Sequence, residues 1–255
     1  MMRHTVPMLV VALALVGCRK DEPVVAPPDP VAPVVRLTVA PMWNGMPFNK
    51  AVIYENISAE RIQVQMLKFY LGDLELYTSG GDTIDLVDVD LFKLTDGPVV
   101  RSYTAVPGTF SGLRVGLGVP AALNGMDPVM WANDDPLSIA NGMYWTWSSM
   151  YRFMIFDGRF DTLATNTGTP PYLFSIHTGR NECYRSRAFA LPITTTDGTT
   201  TDLRLELDLA RFFYSASDTL YMSTESQQHG SIEEVPMSQK FSDMVIASMS
   251  LTNTP

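Results

Sequence analysis

The chain has 255 residues, with 18 Lys and Arg against 27 Asp and Glu, a net charge of −9, two cysteines and three histidines. This balance excludes a general nucleic-acid binder, because the electrostatic term that dominates such binding would be repulsive. The length accommodates one large β domain or two small ones, and at this size a hydrophobic core suffices for stability.

The first element reads as a leader rather than as structure. Arg3 and His4 precede "VPMLVVALALVG", which is too short to span a bilayer and has the proportions of a secretory signal. Its end, Leu15-Val16-Gly17-Cys18, resembles a bacterial lipobox. Residues 1–17 are therefore expected to be removed, and Cys18 to be acylated on its thiol and new amino terminus. Cys183 would then be the only cysteine left, and no intrachain disulfide could form. "RKDEPVVAPPDPVAP" follows, with five prolines and no core pattern. Proline-rich chain is extended, at about 3.1 Å per residue, so residues 18–33 read as a lipidated tether. Arg19 stands where an inner-membrane lipoprotein typically carries aspartate, which points to the outer membrane. Lys20-Asp21-Glu22 resembles a surface-export signal, so a periplasmic and a cell-surface face both stay open.

From Val34 onward the pattern is strand. "VVRLTVAP" alternates, with Val35, Leu37 and Val39 on one face. "IQVQMLKFYLGDLELY" carries two such runs, with a bend at Leu71-Gly72-Asp73. "GGDTIDLVDVDLFKL" opens on a Gly-Gly turn, and "GTFSGLRVGLGVP" alternates Leu113, Val115 and Leu117 before stopping at Pro120. "YLFSIHTG", "SRAFALPITT" and "TDLRLELDLARFF" complete the set. Strands of this length between regular turns predict an all-β, antiparallel β-sandwich. Near the end, Phe241, Met244, Val245, Ser248 and Met249 recur at helical steps and predict a short C-terminal amphipathic helix. Residues 34–255 read as a single domain.

Chemistry-bearing motifs are few. There is no G-x-S-x-G, Walker loop, G-x-G-x-x-G, H-E-x-x-H, C-x-x-C or C-x-x-C-H in the chain, and the reading is of a non-enzyme. His177, Cys183, His229 and Met237 follow the ligand order of blue-copper proteins. Their spacing does not, since Cys, second His and Met of such a site share one short loop. Asp82, Asp85, Asp88 and Asp90 lack calcium-loop spacing and read as outward charges that protect an edge strand. The stretch "MYWTWSSMYRFMIF" sets Trp145 and Trp147 two residues apart, on one face if both lie in a strand. They suit a buried apolar stripe or a redox role equally. On "YLFSIHTG", His177 shares a side with Leu173 and Ser175, opposite Phe174 and Ile176. His229 lies in a polar segment where solvent exposure is the simple expectation.

Four segments together resemble the MbnP-like family of copper-binding proteins associated with methanobactin operons. These are "VRLTVAPMWNGMPF", "IQVQMLKFYLGDLEL", "NGMYWTWSSMYRFMIFDGRF" and "YLFSIHTG", in the family's order. The resemblance implies a β-sandwich that holds copper through histidines and a tryptophan oxidised to kynurenine by a di-haem, cytochrome c peroxidase-like partner. A TonB-dependent transporter is a further expected partner. It carries the metal role onto His177 and His229, the oxidisable role onto Trp145 and Trp147, and a supporting role onto Met143 and Tyr151. Met150 stands where the family's signature has glycine. The alternative is a metal-free, lipid-anchored β-sandwich that binds a peptide or glycan through an aromatic patch, with its two histidines far apart.

Overall fold

In the first strand, Val35, Leu37 and Val39 are wholly buried while Arg36 is exposed, which is the alternation a half-buried strand requires. Each such side chain contributes about 1.5–3 kcal/mol by leaving water. The computed structural model describes residues 31–145 and 150–254. Cys18, the expected leader, the tether as far as Pro30, and Trp147 lie outside the described residues.

In chain order the strands are β1 (Val34–Trp43), β2 (Met46–Pro47), β3 (Tyr54–Glu55), β4 (Arg61–Tyr77), β5 (Thr83–Lys93), β6 (Val99–Thr104) and β7 (Gly108–Leu117). After a long connection come β8 (Tyr144–Trp145), β9 (Met150–Asp161), β10 (Tyr172–Gly179), β11 (Arg185–Thr195), β12 (Thr200–Asp208), β13 (Gln227–Gln228) and β14 (Met249–Asn253). The smaller sheet runs β14-β12-β1-β2, with β6 also on β1. The larger runs β11-β7-β4-β9-β10-β13, with β3 and β5 on β4 and β8 on β9. The chain is an all-β sandwich. Most pairings are antiparallel, but β1–β12 and β10–β13 are parallel.

Three local features differ from the sequence expectation. The two runs of "IQVQMLKFYLGDLELY" form one seventeen-residue strand, β4, which bends at Asp73 (φ 43°) where its register shifts against β7. A bulge kinks a strand without ending it. The C-terminal helix spans Val235–Ser248, and Met249 begins β14 instead of extending it. Asp90 is not an outward charge: it is buried, accepting from Arg101 Nε at 3.1 Å and Tyr103 Oη at 2.9 Å. No helix among the described residues is long and apolar enough to cross a membrane.

Between the sheets, Phe156 tilts against Phe174, meets Phe212 edge-on and stacks on Phe241, with centroids 5.1–5.8 Å apart. The helix presents Phe241, Met244 and Val245 to this core. A second apolar cluster lies on the other face of the large sheet. There Tyr70, Leu91, Phe153 and Ile155 are covered by Val119, Leu137 and Met143 from the connection between β7 and β8. That cover is pinned by Tyr70 Oη donating to Pro136 O and Tyr151 Oη donating to Leu137 O, both at 2.9 Å. It delivers the chain to β8, at the edge of the outer face.

Gly158 of β9 tests how tightly its neighbouring strands β4 and β10 close around it within the larger sheet. A Cβ there would lie 2.2 Å from Gln63 O and 2.7 Å from the Phe174 ring. Gly158→Ala is expected to cost about 2–3 kcal/mol, seen as a lower urea midpoint at unchanged slope.

Candidate metal centre

The site forms where three strands and a hairpin meet on the outer face of the large sheet. In the β9–β10 ladder Ile155 faces His177 and Asp157 faces Ser175. In the β10–β13 ladder Ser175 faces Gln227 and Ile176 faces Gln228. One further step in that register sets His229 beside His177. Their ring centroids are 5.4 Å apart, with the planes at 71°. Trp145, paired with Met150 in the β8–β9 hairpin, brings a third ring to within 5.5 Å of His177 and 6.0 Å of His229. Two imidazoles sharing an ion at bonds of about 2.0–2.1 Å have centroids roughly 5–6 Å apart. The observed pair matches that separation.

His177 is buried, at 7% exposure, and rigidly held. Its Nε2 is 2.9 Å from Asp157 Oδ1 and 3.1 Å from Ser175 Oγ, and Ser175 Oγ donates to the same Asp157 oxygen at 2.9 Å. A carboxylate oxygen accepts, so the tautomer this contact favours carries its proton on Nε2 and leaves Nδ1 as the acceptor. That Nδ1 is buried without a hydrogen-bond partner. An unpaired buried acceptor costs about 1–3 kcal/mol. A carboxylate on the distal nitrogen is the arrangement of metal-ligating histidines, and it raises ligand basicity.

His229 is exposed, but its backbone is stitched down. Its N–H donates to Glu234 Oε2 at 3.1 Å, and Ser231 N donates to the same oxygen at 2.8 Å. Burial alone would raise the Glu234 carboxyl; these donors outweigh it and hold the group below its ordinary value. The preceding Gln228 is buried and donates to Ser238 Oγ of the helix at 2.9 Å. The loop is fixed while the imidazole stays accessible. Over Trp145 lies the Arg152 guanidinium, with Cζ 4.8 Å from the ring centroid and Nη2 donating to Gly142 O. Such a cation–π contact contributes about 0.5–2 kcal/mol.

The structure thus brings Trp145, His177 and His229 together. Met143 and Tyr151 lie elsewhere: Met143 is part of the cover segment and Tyr151 is buried beneath it, packed on Tyr70 and Tyr144. They support the hairpin that carries Trp145 and do not line the ring cluster. The groups that reach His177 are Asp157 and Ser175. Strand alternation signalled Ser175, whereas Asp157 depends on cross-strand register. Among the described residues no three His, Cys, Asp or Glu side chains gather as a metal-ion set. A metal bound by this pair would take two imidazole nitrogens and would need further ligands from outside that group.

The family model described as MbnP matches residues 32–233. Among solved structures, MbnP from Methylosinus trichosporium is similar at 14% identity, with a TM-score of 0.44, over 73% of this chain and 79% of that one. No curated protein matches.

Met150 occupies the left-handed region at φ 61°, conformational space that favours glycine. The backbone a signature glycine would serve is therefore retained with a methionine in place, at a cost of about 1–2 kcal/mol. Met150→Gly is expected to relieve that strain, less the added chain entropy of glycine in the unfolded state. The net gain should be up to about 1 kcal/mol by chemical denaturation.

Proposed function

Because the chain belongs to the MbnP family, we propose that it is a copper-binding protein that uses His177 and His229 as nitrogen ligands, with Trp145 as the oxidisable residue beside them. The observation that carries this reading is the convergence of three rings from distant parts of the chain, one of them an imidazole with a buried nitrogen that has no hydrogen-bond partner. Imidazole suits copper, and kynurenine would add an aniline nitrogen to the same donor set. Trp147 is the other candidate for oxidation. The 5.4 Å imidazole separation supports a shared metal over a metal-free peptide- or glycan-binding module, for which distant histidines were the expected mark.

In this reading Asp157 and Ser175 fix the His177 tautomer and orientation, Glu234 and Gln228 set the His229 backbone, and Arg152 holds the Trp145 indole plane. The protein acts by binding, not by turnover. Conversion of the indole needs an external oxidant, which a di-haem, peroxidase-like partner would supply. Acylated Cys18 would hold the domain at the outer membrane, within reach of such a partner and of a TonB-dependent transporter.

The test is copper affinity by chelator competition on purified protein. His177→Ala and His229→Ala are each expected to abolish tight binding. Asp157→Asn, which keeps both ligands, is expected to weaken it about 10–100-fold. Intact mass of protein co-produced with its cytochrome should show one tryptophan carbon replaced by oxygen, located at Trp145 or Trp147. Unchanged affinity in both histidine variants would overturn the reading.

A further inference from the structure

The row of side chains that ends in the histidine pair begins, at the other side of the sheet, with two lysines. Lys93 of β5 faces Lys68 of β4, Lys68 faces Ile155 of β9, and Ile155 faces His177 of β10. All four therefore project to the outer face. Like charges set directly opposite in a sheet destabilise it, and Arg152 adds a third cation nearby.

The three converge on one turn of the cover segment. Lys68 Nζ donates to Asn141 O at 3.4 Å, Lys93 Nζ to Asn141 Oδ1 at 3.3 Å, and Arg152 Nη2 to Gly142 O. All these acceptors are neutral. Among the described residues no carboxylate comes within ion-pair distance of any of the three, whereas Arg36, Lys50, Arg61 and Lys240 are paired. The carboxylate that acts on Arg152, Asp157, is already engaged by His177 and Ser175. Burial, then Lys93 and Arg152, push the Lys68 ammonium below its ordinary value, the direction expected of an uncompensated cation cluster.

On a chain of net charge −9 this is a locally inverted surface. It is flanked by exposed apolar side chains, Ile139 just before the turn and Met150 in the adjoining hairpin. An apolar patch beside charged groups is the anatomy of a protein interface. Lys93 is exposed and Lys68 and Arg152 are half-buried, so the charge is presented on a face and not enclosed around a small ion.

We propose that Lys68, Lys93 and Arg152, with Ile139 and Met150, form a docking surface for a carboxylate-rich protein segment. Two strand spacings, about 10 Å, separate Lys68 from His177. A partner seated there lies alongside the Trp145, His177 and His229 rings. Complementary charge steers encounter and fixes orientation more than it adds affinity, which suits a transient exchange partner. The surface itself requires no metal.

The probe is a fluorescently labelled decaglutamate peptide, titrated by anisotropy against the full chain treated with chelator, so that the outcome does not depend on copper. Binding is expected to weaken at least tenfold in Lys68→Gln/Lys93→Gln, to fall steeply with added salt, and to be unchanged in Lys50→Gln. Lys93→Gln alone should weaken binding while raising Tm by about 1–3 °C, because it removes a like-charge pair. A merely structural lysine would not move the two readouts in opposite senses. No binding, binding indifferent to the lysine variants, displacement by equimolar inorganic phosphate, or preference for phosphatidylglycerol vesicles over the peptide would each overturn the proposal.

Discussion

The parallel ladder between β10 and β13 is the constraint on which the candidate centre depends. It is only two residue pairs long, yet it fixes which residue of a polar loop stands beside His177. A shift of one residue would turn every side chain of the short strand to the opposite face. The ladder is held in register from outside itself. Gln228 is buried and bonded to the C-terminal helix, and Glu234 draws in the amides of His229 and Ser231. The helix therefore does more than close the core: it sets the address of the second imidazole.

The other half of the centre is positioned by a layer that a plain sandwich lacks. The connection from β7 to β8 folds back over the outer face of the large sheet and builds its own apolar cluster, so a surface that would ordinarily face water is covered. Its two anchoring tyrosines, Tyr70 and Tyr151, spend their hydroxyls on backbone carbonyls of the cover. Burial drives both phenols above their ordinary value, Tyr151 to about 12. They stay neutral donors, and the cover stays pinned. From it emerges the short hairpin that swings Trp145 to the histidines.

Much of this was legible in the sequence, and what was missed has a common cause. Strand alternation placed Val35, Leu37, Val39 and Leu113 in the core and His177 on the side opposite Phe174 and Ile176, because period two needs no knowledge of neighbours. It also put Ser175 on the His177 side. Asp157 could not be found that way, since its contact depends on the β9–β10 register. Met143 and Tyr151 drew attention by lying close to Trp145 in the chain. A hairpin turns its flanking residues to different surroundings: Tyr151 faces the cover layer and Met143 belongs to it. The lysine pair was equally invisible: Lys68 and Lys93 meet only after a long bent strand and its partner are aligned. His229 was read as a solvated loop residue, and its ring is indeed exposed; what the loop composition did not reveal is the ladder that places it.

The smaller sheet carries a different consequence. β1 pairs in parallel with β12, which in turn pairs in antiparallel with β14. The place of β12 within that sheet is complete only when both β1 and β14 are paired to it. Loop-closure entropy makes such non-local pairing slow to form. The smaller sheet therefore closes late, once the segments that carry β12 and β14 are available to β1, and loss of β14 would leave β12 with an unpaired edge beside β1.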